Sequence, residues 1–461
     1  MNISMQTKNI NSSPAQTLVL GFVIIILAGT FLLALPASNT TGESAGFANS
    51  LFTATSAVCV TGMAVVDTGT YWTPLGQTVI MFLVQIGGLG IMTFSTLLAL
   101  LIGRKITLKE RLLLQESLNQ FELKGMVRLA KRIIIATLCF EAVGSLIYGF
   151  VFIPQFGWLR GAYMSVFHSV ASLNHAGFDL LGDYFGPFSS FTGYVSNPIV
   201  NINAILLIVI GGLGFSVWID LYDAAVKRDF RQLTLHTKVV LVMNLGLILF
   251  GAVFIFIMEF SNPGTMGNLP LHGKILASLF HSVTPRSSGF NTLDMTALTM
   301  PTMFLTIIYM FIGGSPGSTA GGIKTTTAGI LFFTILSMIK GKESTELFKR
   351  SLPKALVYRA VAIALISFTI VVAATMLLSI VEGPSNNPNF ETLVFEATSA
   401  FGIVGLTLDY THRLTGAGKA IVTFCMFMGR VGPLSLVFAL TLRAGRNNIP
   451  IKYPEDRIIV G

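Results

Sequence analysis

The amino-acid sequence predicts an all-α integral membrane protein built from four tandem helix–loop–helix repeats. The first observation is composition: of 461 residues, 52% are hydrophobic and only 11% are charged, whereas soluble domains carry about a quarter charged residues. The second is eight apolar runs, each near the ~20 residues that span a bilayer. The third is a pair of sequence marks that recurs four times, which is the signature of an internal repeat.

The apolar runs alternate with shorter segments in a regular order. The eight predicted spans are residues 17–36, 74–102, 132–154, 199–225, 238–259, 300–339, 355–381 and 418–441. A segment of about a dozen residues lies within each pair of spans, too short to cross and typical of a re-entrant helix; these segments are 47–58, 160–173, 272–285 and 389–401. The predicted repeats are 1–128 with a cytoplasmic loop, 129–237, 238–353 with a broken second helix, and 354–461 with a cytoplasmic tail.

The distribution of charge predicts the orientation. Most of the 30 lysines and arginines lie in four stretches, Arg104–Arg132, Lys227–Lys238, Lys340–Arg359 and Arg443–Arg457. Basic loops face the cytoplasm, so both termini are predicted to be cytoplasmic in a multi-pass topology. The formal net charge of +9 therefore reflects the basic cytoplasmic loops of a membrane protein, and it does not indicate a nucleic-acid partner.

Two glycine marks define the repeats. Each short segment contains a Phe, followed after about ten residues by a glycine and a large apolar residue; these glycines are Gly62, Gly177, Gly289 and Gly405. An aspartate follows each one: Asp67, Asp179, Asp294 and Asp409. The second mark lies 24 to 34 residues further on, in the next helix, at Gly87, Gly211, Gly313 and Gly429.

Four parallel re-entrant loops predict a cation-conducting pore. Such backbone is tolerated at membrane depth only where it is buried in protein or lines a water-filled path. Glycine allows successive carbonyls to turn toward an ion, and the partially negative helix ends favour cations. The predicted filter residues are Val60, Thr61, Gly62, His175, Ala176, Gly177, Ser287, Ser288, Gly289, Ile403, Val404 and Gly405. The aspartates either concentrate cations at the outer mouth or make local loop hydrogen bonds.

These residues resemble the Trk/Ktr/HKT superfamily of K⁺ transporters, most closely its bacterial KtrB branch. The likeness rests on Val58–Gly62, the three companion loops and a glycine-rich stretch in the sixth span. It implies K⁺ uptake across a bacterial plasma membrane, with Na⁺ as a possible activator. It also implies a homodimer that binds a cytoplasmic KtrA-type ring, with ATP or ADP on that partner and no cofactor in this chain. Family members that prefer Na⁺ have serine in the first loop, so Gly62 favours K⁺.

The sixth span and one arginine predict a gate. Five glycines and a proline interrupt the span, and such residues break helices; only the third repeat is expected to have such a broken helix. The predicted loop comprises Gly313, Gly314, Ser315, Pro316, Gly317, Ser318, Thr319, Ala320, Gly321 and Gly322, with Lys324 at its end. Arg430 lies inside the eighth span, where a charge is costly and usually functional. We expect it to hydrogen bond to the loop, and the family resemblance also implies a gating loop here.

Other residues receive weaker predictions. Glu141 lies within the third span without an assigned role. His168 and His281 occupy equivalent positions in the short segments, where packing or capping is expected rather than metal binding. The three cysteines are predicted to be buried free thiols. The sequence contains no catalytic motif in a suitable context, so no enzyme is predicted, and the competing function is an ion-coupled secondary transporter for Na⁺ or K⁺.

Overall fold

The computed structural model describes residues 14–90, 93–94, 96–97, 106, 108–117, 126–342 and 344–432, and the described part is mostly helical. Its α-helices are α1 (Pro14–Ala34), α2 (Phe47–Cys59), α3 (Thr68–Tyr71), α4 (Pro74–Leu89), α5 (Leu108–Ser117), α6 (Met126–Phe156), α7 (Trp158–Asn174), α8 (Gly182–Phe185), α9 (Pro198–Leu213), α10 (Phe215–Lys227), α11 (Leu235–Glu259), α12 (Leu271–Val283), α13 (Met300–Ile312), α14 (Thr325–Ile339), α15 (Lys354–Asn386), α16 (Phe390–Gly402) and α17 (Gly416–Val431). Short 3₁₀ turns cover Pro36–Ser38, Thr192–Tyr194, Phe230–Gln232, Met295–Ala297 and Thr411–Arg413. Two antiparallel strands, β1 (Glu346–Leu347) and β2 (Arg350–Ser351), form a small hairpin.

Four short helices, α2, α7, α12 and α16, coincide with the predicted re-entrant segments. Their recurring phenylalanine is buried in every case, with exposed fractions of 0 to 1%; these residues are Phe52, Phe167, Phe280 and Phe395. The long helices, by contrast, expose large apolar side chains such as Phe150 and Leu245. The short helices are therefore the interior of the molecule, and the long helices surround them with faces suited to lipid.

Four described helices are long and apolar enough to cross a membrane: Gln16–Ala34 within α1, α6, α11 and Lys354–Gly383 within α15. The pair α9 and α10 makes a fifth if it is counted as one span, although the two helices are bent by 99°. Helices α4, α13 and α14 are apolar but shorter. The predicted count of eight spans therefore stays a prediction, and the ends of the second and eighth predicted spans lie partly outside the described residues.

The prediction that only the third repeat has a broken second helix was wrong. The second helix of every repeat ends at the second glycine mark, where a glycine with positive φ follows the helix: Gly90, Gly214, Gly313 and Gly432. In the second repeat the chain then turns sharply into α10. The third repeat differs beyond the break, because its 12-residue connection folds back before α14 begins.

Two buried glutamates each join the first and second helices of their own repeat, in repeats three and four. At the end of α11, Glu259 Oε1 accepts hydrogen bonds from the backbone N–H and hydroxyl of Thr299, the residue that precedes α13. Glu382 makes the same pair of bonds to Thr415, which precedes α17. We call these the two carboxylate clasps. They place the start of each second helix beside the end of the first.

The cysteine prediction needs one correction. Cys59 and Cys425 are buried, but Cys139 is exposed on α6. The sequence does not distinguish the exposed side of α6 from its buried side, because both sides of this helix are apolar. All three are free thiols.

Candidate functional site

The loops that follow the four short helices share one backbone conformation. The residue two before each marked glycine has positive φ, as does the glycine itself: Val60 and Gly62, His175 and Gly177, Ser287 and Gly289, Ile403 and Gly405. The residue between them does not. This alternation turns consecutive carbonyl groups toward one side of the chain, in contrast to the opposite directions they take in a strand.

The intervening residue directs its N–H back into the preceding helix. Thr61, Ala176 and Val404 donate to carbonyls five residues earlier, at 2.7, 2.8 and 2.9 Å. Ser288, in the loop that is one residue shorter, donates to Thr284 at 3.0 Å. Because this pattern closes the helix end, the carbonyl of the same residue is left facing away from it.

These carbonyls and glycines contact one another in a closed ring. A Cβ added to Gly62 would lie 2.1 Å from the Ala176 carbonyl oxygen, and one on Gly177 would lie 2.9 Å from that of Ser288. The series continues with Gly289 and the Val404 oxygen at 2.6 Å, and with Gly405 and the Thr61 oxygen at 2.2 Å. The four loops thus meet in the order one, two, three, four, one. We call this set of eight residues the carbonyl ring.

The aspartates that follow the ring are engaged in local hydrogen bonds. Asp67 accepts from the backbone N–H groups of Thr70 and Phe188, and Asp179 accepts from Leu181. Asp294 accepts from Thr296, whereas Asp409 pairs with Arg413 at 2.7 Å. Burial, together with the nearby charge of Asp67, raises the pKa of Asp179 to about 7. Local bonding is therefore present, and a role in concentrating cations stays a prediction.

The connection between α13 and α14, residues 313–324, lies directly against the carbonyl ring. We call residues 313–322 the intramembrane loop. A Cβ on Gly321 would lie 2.0 Å from Ile403 Cγ1, and the Gly321 N–H donates to Ser287 Oγ at 3.0 Å. The same hydroxyl donates to the Ile403 carbonyl at 2.7 Å. Ser287 therefore joins the third loop of the ring to the fourth and to the intramembrane loop.

Repeat two holds the other side of the intramembrane loop. The N–H of Ser315 donates to the Gly212 carbonyl at 3.0 Å, and the N–H of Phe215 donates to the Gly317 carbonyl at 2.8 Å. These bonds use the backbone groups that the break at Gly214 has freed. The sharp turn between α9 and α10 is thus the docking point of the intramembrane loop.

Arg430 bonds to both the intramembrane loop and repeat one. Its Nη1 donates to the Thr319 carbonyl at 2.5 Å, and its Nη2 donates to the Gly87 carbonyl. Gly87 belongs to the second mark of the first repeat. Lys324 does not reach out in the same way: its Nζ donates to the Ala320 carbonyl at 2.6 Å, within the connection itself.

Sequence reasoning missed Arg286, which is 4% exposed beside the carbonyl ring. Its Nη1 donates to Asn244 Oδ1 at 2.5 Å, and Asn244 Nδ2 donates to Ser315 Oγ at 3.1 Å. Ser315 in turn contacts the Thr325 hydroxyl at 2.9 Å. The sequence did contain a sign of this residue: a charge directly after a predicted re-entrant segment, where burial is costly unless the charge is hydrogen bonded. The chain links the third loop of the ring to the intramembrane loop.

Glu141 belongs to a buried amide cluster at the end of α7. Its carboxylate accepts from Asn174 Nδ2 at 2.9 Å and from Gln85 Nε2 at 3.3 Å. Asn174 immediately precedes His175, which contacts the Ile208 carbonyl through Nε2 at 2.7 Å. A Cβ at Gly88 would lie 1.9 Å from Asn174 Oδ1. Glu141 is therefore connected to the second loop of the ring through one side chain.

The equivalent histidines make structural hydrogen bonds. His168 contacts the Met164 carbonyl through Nδ1 at 2.7 Å and accepts from the Leu180 N–H through Nε2 at 3.3 Å. His281 contacts the Thr306 hydroxyl at 3.1 Å. Within the described ranges there is no group of three or more side chains placed to bind a metal ion.

Comparison with known proteins places this arrangement in context. The profile of the TrkH family, described as a cation transport protein, matches residues 6–448. The chain is 41% identical over 454 residues to the Ktr system potassium uptake protein B of Bacillus subtilis, covering 98% of both chains. It is 39% identical to the potassium/sodium uptake protein NtpJ of Enterococcus hirae, covering 97% of both. The crystal structure of the potassium transporter TrkH from Vibrio parahaemolyticus has the same fold, with a TM-score of 0.72 at 17% identity over 95% of this chain and 86% of that one.

Proposed function

The chain belongs to the TrkH family of cation transport proteins, and on that premise we propose that it is the pore-forming subunit of a channel-like K⁺ uptake system. In this proposal four helix–loop–helix repeats with eight spans surround one pore in the bacterial plasma membrane. The relatives' names support K⁺ as the transported ion, since three of them are called Ktr system potassium uptake proteins and a fourth is called a potassium/sodium uptake protein. The family is one of transport proteins, so no enzymatic activity is assigned.

The observation that carries the proposal is the carbonyl ring. Four carbonyl oxygens, from Thr61, Ala176, Ser288 and Val404, approach four glycines that close into a circle. Carbonyl oxygens can replace the hydration shell of a monovalent cation. The glycines have positive φ and leave no room for a side chain, so the backbone alone forms the coordinating surface.

The intramembrane loop is the proposed gate. It lies against Ile403 and Ser287, which immediately precede the ring residues Val404 and Ser288, and Arg430 holds it through the Thr319 carbonyl. A guanidinium next to the pathway also repels cations. Conduction requires the loop to leave the pathway, and the Arg430 bond is one of the contacts that it must break to do so.

Regulation is proposed to come from a partner. The Bacillus relative is named as part of a Ktr system, which supports an assembly of more than one component. We propose a homodimer of this chain bound to a KtrA-type ring that carries ATP or ADP, with Na⁺ as an activator. The basic cytoplasmic stretches are the surface available for that contact.

The test is ion uptake with a substituted ring. Wild type and Gly62→Ser are expressed in a bacterium that lacks its own K⁺ uptake, and the purified proteins are compared in liposomes for K⁺ and Na⁺ flux. Wild type should restore growth at low K⁺ and prefer K⁺. The Gly62→Ser variant should lose part of that preference, and an unchanged K⁺/Na⁺ ratio would contradict the assignment of the ring.

The alternative function is ion-coupled transport. Glu141 supports this alternative, because intramembrane carboxylates occur in many coupled transporters. A Na⁺ gradient imposed across liposomes at zero K⁺ driving force separates the two functions. A channel-like protein moves no net K⁺ under this condition. Net K⁺ movement that follows the Na⁺ gradient would establish coupling instead.

A further inference from the structure

Helix α10 presents three distinct faces. Val217 and Ala224, seven residues apart, share a buried face, and Phe215 is buried at the start of the helix. Tyr222 and Val226 are 65% and 66% exposed, at a spacing of four residues that places them on one side. We call this exposed side, continued by Phe230 at 58% exposure, the apolar stripe. Asp223 and Lys227 lie on the remaining side and are exposed.

The position of α10 matches the boundary between lipid and water. It leaves α9 at 99°, so it runs nearly parallel to the membrane plane if α9 crosses the bilayer. The helices before and after it in the chain also expose apolar side chains, among them Leu206 on α9 and Val242 on α11. A helix with one apolar and one charged exposed face is typical of the interface.

The charges around the C-terminal end of α10 favour the cytoplasmic leaflet. Lys227, Arg228, Arg231 and Lys238 are clustered there, with Asp220, Asp223 and Asp229 among them. Asp220 and Asp229 are engaged with backbone N–H groups of Thr234 and Arg231. Lys238 donates only to the Arg231 carbonyl among the described contacts. Basic side chains at this depth attract anionic headgroups.

The N-terminal end of α10 is bonded to the intramembrane loop. Its first residue, Phe215, donates its N–H to the Gly317 carbonyl at 2.8 Å, and Gly212 accepts from Ser315. A Cβ at Gly214 would lie 2.5 Å from the Pro316 carbonyl oxygen, so the two backbones are in direct contact. A displacement of α10 would therefore act on the intramembrane loop directly, through these backbone contacts.

We propose that the apolar stripe of α10 inserts into the cytoplasmic leaflet of the bilayer, and that the lipid surface thereby controls the position of the intramembrane loop. The regulatory half of this proposal rests on the proposed function of that loop as the gate, whereas the insertion half does not. Anionic headgroups draw the basic end of α10 toward the membrane. The backbone bonds at Phe215 and Gly212 transmit that position to residues 313–322.

The insertion is tested first, independently of transport. Cys139, the exposed thiol, is replaced by Ala, and Val226→Cys in the full chain is labelled with an environment-sensitive fluorophore in liposomes. Lipids brominated near the headgroup should quench the label, and aqueous iodide should not. Quenching by iodide alone would overturn insertion. Protection from both quenchers would show that a protein surface, such as a second copy, covers the stripe, and would overturn it equally.

The coupling is tested by flux in neutral and anionic liposomes. Wild type should differ between them by about fivefold, the scale set by one basic side chain at an anionic surface. The double variant Tyr222→Ser, Val226→Ser should lose that dependence, whereas Tyr222→Phe, Val226→Leu should keep it. Leu365→Ala, Phe368→Ala removes similar exposed apolar surface from α15, which lacks the loop contact, and should also keep it.

The outcomes separate the two hypotheses. If no variant conducts K⁺, the proposed function fails and the quenching result still decides insertion. If wild type conducts but its flux ignores lipid charge, or if the Ser pair behaves like the Phe, Leu pair, the coupling to the intramembrane loop is wrong while conduction stands.

Discussion

Replacing a ring glycine by alanine should reduce K⁺ preference in an order that the structure fixes. The added Cβ would lie 2.1 Å from the facing oxygen at Gly62, 2.2 Å at Gly405, 2.6 Å at Gly289 and 2.9 Å at Gly177. Carbon–oxygen contacts are stable at about 3.3 Å, so the oxygen facing Gly62 must move by roughly 1 Å. At Gly177 the required movement is less than half as large.

The expected size follows from coordination. A carbonyl displaced this far no longer contacts the ion, and losing one of four such ligands should cost about 1.4 kcal/mol of K⁺ preference, a tenfold change. The assay is the ratio of K⁺ to Na⁺ flux in liposomes. Gly62→Ala and Gly405→Ala should lose at least about tenfold in that ratio, Gly289→Ala less, and Gly177→Ala least.

A matched control isolates the clash from backbone strain. Gly46 has φ of 76°, close to the 86° of Gly62, but nothing lies within 4 Å of its added Cβ. Gly46→Ala therefore carries the strain of positive φ, about 1–3 kcal/mol, without displacing an oxygen, and should keep the wild-type ratio. Equal losses at all four ring positions, or a loss at Gly46, would refute the reasoning.

Substitutions at four further positions test the surroundings of the ring. Arg430→Gln should raise K⁺ flux in the absence of a partner several-fold, since it loses the charge and weakens the bonds to the Thr319 carbonyl of the intramembrane loop and the Gly87 carbonyl of repeat one, and Arg430→Lys should raise it less; unchanged flux in patch or liposome recordings argues against the gate. Asn244→Leu should lower the midpoint of thermal unfolding, because it leaves the buried Arg286 guanidinium without its Asn244 acceptor, which costs about 3 kcal/mol for a charged group; an unchanged midpoint contradicts that bond. Asp179 is charged above its pKa of about 7 and neutral below it, so uptake at low external K⁺ should fall as the outer pH drops from about 8 to 6, and Asp179→Asn should abolish that dependence if the carboxylate concentrates cations. Glu141→Gln should lower the K⁺/Na⁺ flux ratio while K⁺ still moves down its own gradient, and loss in this variant of K⁺ movement driven by a Na⁺ gradient would instead support ion-coupled transport.

The repeated elements were the predictable part of the fold. The marks at Gly62, Gly177, Gly289 and Gly405 identified the short helices, because a buried helix that must end in a turn of positive φ leaves a glycine at a fixed spacing. The break in the sixth span was predictable for a similar reason, since several glycines and a proline within one apolar run exceed what a helix tolerates.

The breaks at Gly90 and Gly214 were not predicted, because each of the three glycines in such a stretch costs a helix only about 1 kcal/mol. At Gly214 the decision is tertiary: the Gly212 carbonyl and the Phe215 N–H, which a continuous helix would use internally, bond to Ser315 and Gly317 instead. Arg286 escaped notice for a related reason. Its partner, Asn244, lies 42 residues away on another helix, and no local sequence pattern predicts that the two side chains bond.

The carboxylate clasps and the carbonyl ring differ in when they can form during synthesis. Glu259 and Thr299 are 40 residues apart, and Glu382 and Thr415 are 33 apart, so each clasp can close as soon as its own repeat has emerged. The contact between Thr61 and Gly405 joins the first repeat to the last. The ring therefore stays incomplete until nearly the whole chain has been inserted. A chain that stops early can form its carboxylate clasps but cannot complete the carbonyl ring.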